Sequence, residues 1–200
     1  MKVIGLTGSV AMGKSEAARY LASHGFPVFD SDREVHKLYD SAEGAALLWP
    51  YVADAVKDGK VDRQKLSALV LKDPALLKQL ETLVHAEIRD RRNDFVAESK
   101  ATGAKAVILD IPLLFETGAE KDMDATIVVS SSPESQRARA LARPGMTEEK
   151  LHMILARQMP DAEKRKRADF VVDTSQGLEP VRARVKDILA KVAMMPQRRR

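Results

Sequence analysis

The stretch Gly8-Ser9-Val10-Ala11-Met12-Gly13-Lys14-Ser15 matches the pattern Gly-x-x-x-x-Gly-Lys-Ser/Thr in full and directly follows the apolar residues 3–6. Strand, glycine-punctuated loop and then helix is the context that a phosphate-binding loop requires. Gly8 and Gly13 let the backbone turn its N–H groups inward around phosphate oxygens, in conformations that a Cβ would obstruct. Lys14 adds a point charge, the hydroxyl of Ser15 suits a Mg²⁺ ligand, and the helix that starts here presents its positive dipole end to the anion. A nucleoside triphosphate is the expected guest; the bland reading is a glycine-rich strand-to-helix turn with an incidental lysine.

Working outward, residues 2–7 predict a buried strand and residues 14–24, with Ala17, Ala18 and Leu21 on one face, the helix after it, closed by Gly25. Residues 26–29 predict a second strand. Asp30-Ser31-Asp32 lies at its C-terminal end, where open α/β sheets place ligands, and a helix follows from about Asp32. Residues 106–111 and 125–129 are apolar, β-branched runs suited to the centre of a sheet, and residues 170–172 make a short fifth strand. Ser132-Pro133-Glu134 supplies a cap, an N1 proline and an acidic first turn to a helix that Pro144-Gly145 ends; Thr147-Glu148-Glu149 starts another, and residues 178–192 form a closing amphipathic helix. From about residue 43 to 100 no strand is predicted. Asp62 before Arg63-Gln64-Lys65-Leu66 and Asp73 before Pro74 start helices, the second carrying Leu76, Leu77, Leu80, Leu83, Val84 and Ile88 at helical spacing towards Ser99. The predicted fold is α/β: a three-layer P-loop NTPase fold, with a five-stranded parallel sheet, a helical substrate-binding insertion and a helical lid.

The 200 residues suit one domain with sub-domain insertions, and a hydrophobic content of 44% is ordinary for a folded core. The excess of 33 Lys and Arg over 29 Asp and Glu fits a polyanionic small molecule or a nucleic acid without choosing between them. Part of it is Arg198, Arg199 and Arg200, which read as a solvated terminus in preference to a nucleic-acid or membrane contact. Absence of cysteine excludes disulfides, thiolate metal sites and a cysteine nucleophile. No apolar stretch approaches the length of a membrane span, and the chain enters a strand at once without the regions of a signal peptide, so the expectation is a cytoplasmic protein with no membrane partner.

Phosphoryl transfer asks for positioning, charge neutralisation and a group to orient the acceptor hydroxyl. Asp32 can be that group, as a general base, or can cap the next helix; Asp30 reads as structural or as a water-mediated Mg²⁺ contact. Arg139 and Arg143 are four apart, which puts them on one face of the helix after the fourth strand, and Arg143 adjoins the Pro144-Gly145 break, so they can swing with a lid over bound triphosphate or simply solvate a helix face. Of Lys164-Arg165-Lys166-Arg167, at least one charge is expected to face nucleotide and most to face water. Asp110 ends a strand where a Walker-B acid would stand, or is a turn acid. The apolar turn Pro112-Leu113-Leu114-Phe115-Glu116 is either a wall of an acceptor pocket or packing for the end of the sheet. His85 taken alone is an ordinary helix residue, and no second histidine or cysteine accompanies it to bind a metal.

The phosphate loop together with Phe29-Asp30-Ser31-Asp32, Val61-Asp62-Arg63-Gln64-Lys65-Leu66, Leu83-Val84-His85-Ala86, Leu109-Asp110-Ile111-Pro112-Leu113-Leu114-Phe115-Glu116 and the segment 136–143 resembles the dephospho-CoA kinase family, over residues 2 to about 174. The resemblance implies ATP-dependent phosphorylation of the ribose 3′-hydroxyl of dephospho-CoA, giving coenzyme A and ADP. It implies Asp32 as general base, Lys14 and Arg143 on the transferring phosphoryl group, and Ser15 on Mg²⁺. It further implies nucleotide contacts from Gly8, Ala11, Met12, Gly13, Lys14, Ser15, Glu16 and Arg139, and acceptor contacts from Asp32, Arg63, His85 and Leu113. The corresponding division is a nucleotide-binding core of residues 1–31, 101–138 and 168–200, a CoA-binding domain of residues 32–100 and a lid of residues 139–167. The chain has His85-Ala86 where the family commonly has His-Pro, Pro144 where an acid is common, and Asp173-Thr174-Ser175 in place of a frequent Asp-Asn.

A monomer or weak oligomer is expected, with no nucleic-acid partner: the aromatic content of 4% offers few stacking platforms. The rival readings are another small-molecule P-loop kinase, such as a nucleoside monophosphate kinase, and an ATPase that binds nucleic acid. A GTPase switch is disfavoured by the lack of Asn-Lys-x-Asp.

Overall fold

In chain order, the computed structural model, which describes residues 1–196, forms β1 (Lys2–Thr7), α1 (Lys14–Ser23), β2 (Val28–Asp30), α2 (Ser31–Tyr39), α3 (Ala42–Val52), β3 (Val56–Lys57), β4 (Lys60–Val61), α4 (Arg63–Val70) and α5 (Pro74–Ala101). There follow β5 (Ala106–Asp110), β6 (Ala125–Ser130), α6 (Pro133–Leu141), α7 (Glu148–Ala156), α8 (Asp161–Arg167), β7 (Phe170–Asp173) and α9 (Leu178–Met194). The terminal arginines 198–200 lie outside the described residues.

The chain divides into two compact units: Met1–Phe29 with the chain from Val96 onward, and Asp30–Phe95. The first is built on the five-stranded parallel sheet β2-β5-β1-β6-β7. β1 is central because both its faces are apolar: Ile4 and Leu6 are fully buried, and Val3 nearly so. Its register sets Leu6 opposite Asp110 of β5 and Thr7 opposite Val128 of β6. The C-terminal ends of the strands therefore gather the loop at Gly8 and the acid at Asp110 on one edge. Ala17 and Leu21 of α1 pack on the sheet beside Val181, Val185, Ile188 and Val192 of α9. Each such fully buried aliphatic side chain contributes about 1.5–3 kcal/mol relative to exposure.

The second unit is helical, with Leu38, Leu48, Val52, Leu66, Leu80, Val84 and Ile88 among its buried side chains. The apolar spacing read along residues 76–88 is that of α5, and Asp62 and Asp73 act as the expected start signals. Asp62 Oδ1 accepts from the Gln64 and Lys65 N–H groups, and Asp73 Oδ1 from those of Ala75 and Leu76.

The expectation of no strand between residues 43 and 100 is corrected by the antiparallel pair β3–β4. Its turn, Asp58-Gly59, has φ of 52° and 72°, both positive as in the primed two-residue hairpin. The dipeptide Asp-Gly between Val56-Lys57 and Lys60-Val61 is the sequence signal for it; strands of two residues are too short to show a period.

Candidate active site

Gly8 follows β1, and a Cβ there would stand 2.5 Å from the Val129 carbonyl oxygen, so close approach of the loop to β6 demands glycine. Gly13 has φ 92° and would press a Cβ against Thr174. Between them Ala11, buried, holds φ 60°, a left-handed conformation that costs an L-residue about 1–2 kcal/mol. Gly13 is the N-cap of α1 and offers no side chain to the free N–H groups of the first turn. Those donors, with the helix dipole, are what an anion meets. Ser15 is exposed beside them, Met12 within the loop is buried, and Glu16 lies in the first turn, paired with Arg19.

Lys14 Nζ is ion-paired with Asp110, a carboxylate at the end of β5 that is only 2% exposed. The strand-end acid thus orients the loop lysine. Beyond β5 the turn packs the end of the sheet. Leu114 and Phe115 are buried, and Leu114 packs so closely on Gly5 that a Cβ there would meet it at 2.9 Å. Leu113 remains half-exposed. The Pro112 carbonyl beside it accepts from Thr7 Oγ1 at 3.0 Å and from Lys164 Nζ at 3.2 Å.

Arg139 of α6 forks onto Thr174, NH1 donating to the hydroxyl at 2.9 Å and NH2 to the carbonyl at 2.8 Å. The Thr174 hydroxyl in turn donates to the Met12 carbonyl at 2.8 Å. One threonine thus ties the arginine to the phosphate loop, a role that spacing could not reveal because the partners are 35 and 162 residues away. The neighbouring Asp173 carboxyl is held below its ordinary range, chiefly by the hydroxyl and N–H of Ser175 and then by the charges of Arg165 and Arg139. Arg143 does not share a helix face with Arg139: α6 ends at Leu141, and Arg143 stands exposed in the turn before Pro144-Gly145.

The basic run 164–167 divides. Lys164 is fully buried, 2.9 Å from Glu116 Oε1, which also accepts the Met159 N–H at 2.7 Å. Arg167 pairs with Glu120 at 2.5 Å and lies over the Phe115 ring. Arg165 and Lys166 are exposed, Lys166 pairing with Glu163. Burial of Lys164 was not legible, since a four-residue basic run signals solvent.

In the second unit Asp32, Arg63 and His85 lie on α2, α4 and α5, and all three are exposed. The cap of α2 is Asp30, whose Oδ1 accepts the Arg33 N–H at 3.0 Å. The carboxylate of Asp32 is left out of the capping. Arg63 stands 3.8 Å from Asp40 with both side chains about half exposed, a contact too loose and solvated to immobilise it.

A central parallel sheet with a phosphate loop after its middle strand, the loop lysine held by a strand-end acid, defines a P-loop nucleotide-binding protein. The family profile described as dephospho-CoA kinase matches residues 2–179. A dephospho-CoA kinase of Bradyrhizobium diazoefficiens is 57% identical over 199 residues, 100% of both chains. A Thermus thermophilus protein of known structure superposes with a TM-score of 0.81 at 36% identity, covering 95% of this chain and 97% of that one. The fold also matches the dephospho-CoA kinase of Campylobacter jejuni, with a TM-score of 0.64 at 24% identity over 96% and 97% of the two chains. The chain belongs to the dephospho-CoA kinase family. No helix among the described residues is long and apolar enough to cross a membrane.

Proposed function

We propose that the protein transfers the γ-phosphoryl group of ATP to the ribose 3′-hydroxyl of dephospho-CoA, giving coenzyme A and ADP. The observation that carries this reading is the family match over residues 2–179, which includes the phosphate loop and the segments around Asp32, Arg63, His85 and Leu113.

Asp32 accepts the proton of the 3′-hydroxyl as its oxygen attacks the γ-phosphorus and the bond to the β-phosphate bridging oxygen breaks. An exposed carboxylate free of capping duty suits that task. The loop N–H groups hold the β-phosphate, and Lys14 and Arg143 neutralise the oxygens of the phosphoryl group in flight. Arg139, anchored on Thr174, holds the nucleotide beside Met12. Residues 139–167 act as a lid, which limits attack by water. Arg63, His85 and Leu113 contact the acceptor.

Among the described residues no three His, Cys, Asp or Glu side chains cluster as a metal cage. A hard cation that keeps most of its ligands as water and phosphate needs no more than the exposed Ser15 hydroxyl, so the residues fit Mg²⁺. Ser15 would hold Mg²⁺, which would supply neutralisation of the triphosphate's negative charge. The reading includes a monomer or weak oligomer that acts in the cytosol, where ATP is available.

The test is ADP release with dephospho-CoA set against nucleoside monophosphates, nucleosides, shikimate and gluconate. Dephospho-CoA is expected to be preferred by orders of magnitude; preference for another acceptor overturns the assignment.

A further inference from the structure

Both backbone polar groups of Val10, in the middle of the phosphate loop, are taken by side chains from outside the loop. The Val10 N–H donates to Gln158 Oε1 at 3.0 Å, and the Val10 carbonyl accepts from Gln136 Nε2 at 2.9 Å. Gln136 is buried on α6; Gln158 is half-buried just past α7, where its own N–H donates to the Leu155 carbonyl. Backbone chemistry dictates how each amide faces, because an N–H can meet only the amide oxygen and a carbonyl only the amide NH₂.

The next residue is the strained one. Ala11, at φ 60°, packs with Ala140 of α6 and Leu151 of α7, and Val10, Met146 and Leu155 flank that cluster. A left-handed L-residue persists only where its surroundings over-determine it, and such strain gathers at ligand clamps. Here the surroundings are two amide bonds on the preceding peptide units and an apolar seat under the methyl group.

We propose that Gln136 and Gln158 are positioning residues for the phosphate loop: by clamping Val10 from both sides they hold Ala11 in its left-handed turn and keep the N–H groups at the start of α1 set for a triphosphate. The inference rests on the reading that this loop binds ATP. Because both glutamines belong to the segment 136–158 that covers α6 and α7, nucleotide affinity and the seating of these helices on the loop form one equilibrium, and what loosens either weakens the other.

Gln158→Met keeps the length of the side chain and removes the oxygen; Gln136→Leu removes the donor. Each is expected to weaken ATP binding, measured by calorimetry, about tenfold, to leave KM for dephospho-CoA within about twofold, and to speed hydrogen exchange at the Val10 amide. Placing Ala11→Gly in the Gln158→Met protein is expected to recover most of the lost affinity, because glycine holds a positive φ without a clamp. A merely structural role for Gln158 predicts further loss instead. Unchanged ATP affinity in Gln158→Met, or failure of Ala11→Gly to restore it, overturns the clamp; the half-exposed Gln158 carries the test should Gln136→Leu not fold. Failure of the unmodified protein to bind ATP overturns the triphosphate reading itself.

Discussion

Asp30, and not Asp32, caps α2: its Oδ1 accepts the Arg33 N–H at 3.0 Å, while Asp32 is exposed in the first helical turn. Two carboxylates separated by a single residue are thereby given different work. Asp32→Asn is expected to cut turnover by roughly two to four orders of magnitude, the loss of a general base, while ATP binding and melting temperature stay close to those of the parent. Single-turnover kinetics and calorimetry together check this; an Asn variant with full turnover removes Asp32 from the chemistry.

Asp30→Ala behaves in the opposite way. Loss of an N-cap costs about 0.5–2 kcal/mol of stability. The expected result is a lower urea midpoint. If Asp30→Ala and Asp32→Asn destabilise equally, the division of roles between them is wrong.

Thr174 joins Arg139 to Met12 through a single hydroxyl. Thr174→Val keeps the shape, leaves the Met12 carbonyl short of a donor and takes one of the two Arg139 bonds, at a cost of about 1–3 kcal/mol. KM for ATP should rise severalfold as Arg139 loses its anchor, with KM for the acceptor unmoved. Thr174→Asn, which supplies the side chain frequent in the family, should remain near the parent. Steady-state kinetics with each substrate varied in turn decides the matter.

The buried pair Lys164–Glu116 lends itself to a double-mutant cycle. Glu116→Gln leaves the fully buried Lys164 without its carboxylate, and removing one partner of a buried pair typically costs about 3–5 kcal/mol. Lys164→Met with Glu116→Gln removes both charges and still leaves an amide oxygen for the Met159 N–H. The double variant is expected to be more stable than Glu116→Gln alone in denaturant unfolding. Simple additivity would show that the two groups do not interact.

How much the sequence disclosed follows from how local each signal was. β1, the caps Asp62, Asp73, Ser132 and Thr147, and the turn at Pro144-Gly145 all act within a few residues of themselves, so their pattern sufficed. The phosphate loop was equally plain, being a contiguous motif. Thr174 over Met12, the glutamines on Val10 and Lys164 beneath Pro112 are long-range contacts. In those, polar residues are satisfied by groups 52 to 162 positions away, and nothing in their own neighbourhood distinguishes them from solvated ones. The β3–β4 hairpin was missed for the opposite reason: its Asp58-Gly59 signal is present, but it sits between strands too short to alternate.

Tyr39, which ends α2, has its phenol pushed above the ordinary value of 10.0, first by burial and then by the negative charge of Glu81. The folded state therefore favours the neutral phenol more than the unfolded chain does. Its contribution to stability is complete below the unfolded value and is lost as pH rises through the higher folded one. Urea midpoints measured from about pH 8 to about pH 11 should fall on the alkaline side. Tyr39→Phe, which cannot ionise, should flatten part of that decline, and Glu81→Gln should make it smaller, because relieving the repulsion that opposes the phenolate brings the folded value closer to the unfolded one. An alkaline decline unchanged by Tyr39→Phe would assign it to lysines instead.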